Sequence, residues 1–66
     1  MNRPLDLRGP DGNAFALMGY ARSLMRQMEY EPEEIQAVLD EMTAGDYHDL
    51  VDTFVRHFGD FVDIIR

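Results

Sequence analysis

The chain has 66 residues, six arginines, no lysine, thirteen acidic residues and no cysteine, for a formal net charge of −7 at pH 7. That length allows a single small helical domain, 1–66, which buries only about 60% of its unfolded surface; without cysteine, disulfides and thiolate metal sites are excluded, which leaves helix packing or self-association as its support. No apolar run approaches the roughly 20 residues of a membrane span, and residues 1–12 lack a signal peptide's apolar core, so a soluble cytoplasmic protein with no membrane partner is expected.

Leu5 and Leu7 alternate in a short arm, followed by the Gly-Pro-Asp-Gly turn signal at 9–12. The first helix is predicted over about 13–28, with Asp11 or Asn13 as its N-cap. Ala14, Leu17, Met18, Ala21, Leu24, Met25 and Met28 recur along it at helical spacing and form a broad apolar face. Pro32 opens a second helix over about 32–43 at the position where its missing donor costs nothing. Glu33 and Glu34 suit the positive end of that helix, its core face is Ile35, Val38, Leu39 and Met42, and Gly45 is expected as its C′ residue. The third helix is predicted over about 47–58, capped by Asp46 with Asp49 three residues on. It carries Tyr47, Leu50, Val51, Phe54 and Phe58 inward and stops at Gly59.

The tail reads two ways. Phe61, Val62 and Ile65 continue the helical stripe of Phe54 and Phe58, while the same run is rich in β formers and offers a short N-/C-terminal strand pair, 5–7 with 61–65. The expected fold is therefore mainly α, a compact three-helix domain with that strand pair as the alternative for its ends.

Gly19 stands in the middle of the first helix, where glycine costs about 1 kcal/mol relative to alanine. On the helical wheel Gly12, Ala16, Gly19 and Ser23 fall into one stripe of small residues, roughly opposite the large apolar face. Phe15, Arg22 and Arg26 border it on one side, Tyr20 and Gln27 on the other. Small residues at this spacing let another backbone come close. Three occupants fit: another segment of the same chain such as the tail, a partner helix or second copy in a homodimer, or a small anionic ligand walled by the aromatics and the two arginines.

Catalytic patterns are weak. His48 and His57 lie on opposite sides of the third helix, so one site cannot readily use both, and a lone pair of His48 with Asp52 is too few ligands for zinc. The carboxylate pairs sit at helix starts or on outward faces, and Ser23, Thr43 and Thr53 have no histidine in a nucleophile motif. "GPDGN" lacks the phosphate-loop lysine. No catalytic residue, metal or cofactor is expected, and the protein is read as not an enzyme. Met18, Met25, Met28 and Met42 either fill the core or form an adaptable binding face.

Charge is divided along the chain. Residues 1–28 set four arginines against two aspartates, a net +2, whereas residues 29–66 set eleven acids against two arginines, a net −9. Such a surface opposes direct nucleic-acid binding. It suits either solubility alone or a basic partner met by Glu33, Glu34, Asp40, Glu41, Asp49 and Asp52.

The stretches "LDLRGPDGNAFALMGYAR", "EMTAGDYHDLVDTF" and "RHFGDFVDIIR", which together span nearly the whole chain, resemble a group of small uncharacterised bacteriophage-encoded proteins. The resemblance implies a phage accessory protein in a bacterial host cytoplasm and transfers no activity or binding residue. The expected function is binding of a host protein, with host takeover or inhibition of a defence as its setting, and a homo-oligomer as its form. Two alternatives stand beside it: a small-ligand or nucleotide module using Arg22 and Arg26, and a self-assembling structural component.

Overall fold

The order of elements in the computed structural model is β1 (Arg3–Asp6), α1 (Ala14–Gln27), α2 (Pro32–Met42), α3 (Tyr47–Phe58) and β2 (Val62–Ile65). Residues 3–9 and 12–65 are described. The fold is mainly helical, with a two-stranded sheet at the ends of the chain.

Each helix starts where its capping chemistry is. Asn13 is the N-cap of α1, its side-chain oxygen accepting from the Ala16 amide at 2.8 Å; the alternative cap, Asp11, lies outside the described residues. Pro32 opens α2, and the Glu31 amide donates to Glu34 Oε1 at 3.1 Å. At α3 the exchange is reciprocal. The Asp49 amide donates to Asp46 Oδ1 at 3.0 Å and the Asp46 amide to Asp49 Oδ2 at 3.2 Å.

α3 is capped by Gly59 as expected; the other two helices do not close on a glycine. α1 ends in a turn with Glu29 in the left-handed region (φ 63°), the Tyr30 amide donating to Met25 O at 2.9 Å and the Glu29 amide to Arg26 O at 3.1 Å. This is the closing geometry that usually falls to glycine. Gly45, by contrast, is not the C′ residue of α2: Thr43 caps that helix, and no glycine has positive φ among the described residues. A Cβ on Gly45 would meet the Asp49 carboxylate, the movable end of an exposed side chain.

The tail is a strand. β2 pairs with β1 in parallel, Leu5 opposite Ile64 and Asp6 opposite Ile65, and the Leu7 amide extends the ladder to Ile65 O at 2.6 Å. A parallel pair needs a long crossover, and here all three helices supply it. Because Leu7 turns its amide to β2, backbone alternation turns Leu5 the same way and Pro4 outward, so the proline costs the ladder no bond.

The core takes Leu5 from β1 and Val62 from β2. From the helices it takes Leu17, Ala21 and Met25, then Val38, Leu39 and Met42, then Leu50, Val51, Phe54 and Phe58. Phe54 packs on Phe58 with the rings tilted (5.2 Å between centroids, 57°) and meets Tyr20 edge-on (6.1 Å, 68°). Tyr47, expected in the core, is 39% exposed. It is the first residue of α3, at the end of the helix.

Candidate functional site

The stripe of small residues divides in the structure. Gly12 precedes α1 and is no part of its face; a Cβ there would collide with the Leu7 carbonyl, and the Gly12 amide donates to Gly9 O at 3.0 Å. Its smallness serves the turn after β1. Ala16, Gly19 and Ser23 do share a face and line an open groove of about 550 Å³, with Tyr20, Leu24 and Gln27 on one side and Phe61 beyond. Among the described residues, a Cβ on Gly19 would meet nothing within 4 Å. The tail therefore stands beside the stripe without covering it, which corrects the same-chain reading at Gly19.

Arg22 and Arg26 turn the other way. They line a second groove, of about 440 Å³, formed with Tyr30, Pro32, Ile35, Gln36 and Leu39 where α1 meets the start of α2. The single ligand site expected from the wheel, arginines and aromatics around the small stripe, is thus not assembled. Phe15 lines neither groove and is 86% exposed, and Tyr20 leans inward against Phe54. No local sequence signal marks the second groove, because Tyr30 and Ile35 join the arginines only through the α1–α2 turn.

Among the described arginine side chains, Arg8 and Arg56 meet carboxylates and Arg22 and Arg26 meet none. Arg8 Nε lies 2.9 Å from Asp6 Oδ1, and its side-chain and backbone hydrogen bonds hold the Asp6 carboxyl below the ordinary value of 3.8. Arg56 and His57 both reach Glu41 on α2, His57 Nε2 at 2.9 Å from Glu41 Oε1. That clamp joins residues 15 and 16 positions apart, beyond any local sequence signal.

The predicted acidic surface is formed and exposed. Glu33, Glu34, Asp40, Glu41, Asp49 and Asp52 all face solvent. Four of the six also hold local structure: Glu34 and Asp49 cap helices, Asp40 accepts from Gln36 Nε2 at 2.8 Å, and Glu41 holds the clamp.

Of the candidate nucleophiles, Thr43 donates to Leu39 O at 3.0 Å, Thr53 is 6% exposed in the core, and Ser23 lies on the open stripe. His48 is exposed at the start of α3. Met25 and Met42 are fully buried, the core role of the two readings for methionine. No three His, Asp or Glu side chains come together as a metal cluster, and no helix is long and apolar enough to cross a membrane, among the described residues.

No family model matches the chain, and neither a curated protein nor a solved structure does.

Proposed function

We propose that the protein is a small, non-catalytic binding protein that lays its α2–α3 surface against a basic surface of another protein. A phage accessory protein acting on a host protein in the bacterial cytoplasm would work in this way. The observation that carries this reading is the exposure of all nine carboxylates from Glu29 to Asp52, a span with no arginine or lysine. Hydrogen bonds at Glu34, Asp40 and Asp49 fix carboxylates whose charge still points outward, so less side-chain freedom is lost when a partner arrives. A field of one sign speeds encounter with a basic surface and rejects acidic ones. Its reach falls to about 8 Å at physiological ionic strength.

The test is retention of host proteins on the immobilised chain at low and high salt, repeated with a variant carrying Glu33→Gln, Asp40→Asn and Asp52→Asn, which leaves the helix caps intact. Binding that salt releases and the variant loses supports the reading. No retained protein at low salt, or retention indifferent to the variant, refutes it.

A second reading is self-association through the outer face of α1, as a homodimer or as a structural assembly. Two observations favour it: α1 contains no acidic residue in a chain with thirteen, and its outer face joins the open space over Gly19 to the 86% exposed Phe15. It is the helix face where the net charge of the chain least opposes a second copy. Sedimentation that finds a monomer at high concentration removes this reading.

A further inference from the structure

We propose that the groove between α1 and α2 binds a phosphorylated small molecule that carries a flat ring, a nucleotide by chemical class. This site is separate from the acidic surface above and does not rest on that reading.

The arginines provide the first observation. Arg22 and Arg26 are one turn apart on α1, and like charges at that spacing oppose each other. Neither is relieved by a carboxylate among the described residues, although the chain has thirteen acids. Two guanidinium forks side by side present parallel donors that match the oxygens of a phosphate or diphosphate.

The opposite wall provides the second. Tyr30 and Ile35, both half-buried, line the groove with a ring and an aliphatic side chain, an apolar surface for a flat ring next to the charged end, while Leu39 on the same lining belongs to the core and adds little surface. Gln36, also on the wall, donates from Nε2 to Asp40 Oδ1 at 2.8 Å and adds a polar amide to the lining. The volume, about 440 Å³, lies within the range of small-molecule sites.

The turn that places Tyr30 is the third. Glu29 holds a left-handed backbone (φ 63°) that a non-glycine residue adopts only at a cost. The following amide, that of Tyr30, is locked to Met25 O at 2.9 Å. Backbone strain of this kind gathers where a side chain must be aimed. It fixes Tyr30 against the arginine-bearing helix.

The test is heteronuclear NMR of the full chain titrated with ADP, with pyrophosphate and adenosine as separate arms. Saturable shifts at Arg22, Arg26, Tyr30 and Ile35 are expected with ADP, weaker binding confined to the arginines with pyrophosphate, and none that saturates with adenosine. Arg22→Gln and Arg26→Gln should each weaken ADP binding about tenfold, the equivalent of losing one charge-assisted hydrogen bond. Glutamine forms helix about as well as arginine, and both side chains are exposed, so the variants fold. Absence of a saturable ADP shift overturns the proposal. So does binding that survives the double Arg22→Gln/Arg26→Gln variant, or shifts centred on Gly19 and Gln27. Pyrophosphate binding as tightly as ADP overturns the assignment of the apolar wall to a ring.

Discussion

Replacing Gly19 by alanine should stabilise this protein. Gly19 lies in the interior of α1, and the added Cβ meets no atom of the described residues within 4 Å, so none of their packing is disturbed. What changes is the backbone: alanine is favoured over glycine in a helix interior by about 0.8–1.0 kcal/mol. For 66 residues, an unfolding entropy of about 2.1 cal/mol/K per residue gives about 0.14 kcal/mol/K for the chain. The melting temperature should therefore rise by about 6–7 °C, within the range for a domain of this size. The assay is circular-dichroism melting of dilute protein, with Gly12→Ala as the control. The same methyl group at Gly12 collides with the Leu7 carbonyl next to β1, so that variant should lose more than about 1 kcal/mol. A Gly19→Ala protein that melts at or below the parent temperature when dilute would refute the reasoning, because something in the same molecule would then occupy the groove. A gain when dilute that reverses on concentration would instead place a second copy there.

The other predictions concern ends, core and charge. Glu29→Gly should stabilise by about 1 kcal/mol by removing a left-handed non-glycine residue, read in urea unfolding as a higher midpoint at unchanged slope; no gain would show that the αL turn is not strained. Asp49→Ala removes one half of the α3 capping exchange and should cost about 1 kcal/mol in the same assay. Phe54→Ala empties a site that is 1% exposed between Tyr20 and Phe58. Its cost of about 3–5 kcal/mol rivals the whole stability expected of such a chain, roughly 3–10 kcal/mol, so the far-ultraviolet spectrum should show a largely unfolded protein at 37 °C. Asp6 should titrate below 3.8 by carboxyl NMR, and Arg8→Gln should return it toward that value. Since the folded-state value is the lower one, the contribution of this pair to stability is present above 3.8 and is lost as pH falls through the folded pKa.

The three helices were legible because their signals are local. Apolar spacing of three and four residues, Asn13, Pro32 and the Asp46–Asp49 pair act within one or two turns, and the observed helices depart from the predicted ranges by at most one residue at either end. The exposed acidic surface was legible for the same reason, since charge placed away from an apolar stripe faces water in most packings. The remaining features depend on residues far apart in the chain. Whether the tail was helix or strand could not be read locally, because the same apolar residues fit both periods; pairing with β1 across the whole helical body decided it. The Glu41 clamp with Arg56 and His57 exists only once the chain has folded back. The arginines show the difference most directly. The helical wheel placed Arg22 and Arg26 correctly on α1, but it could not know that α2 would approach on their side and leave Gly19 open on the other. An isolated helix specifies which residues share a face; only tertiary packing specifies what that face meets.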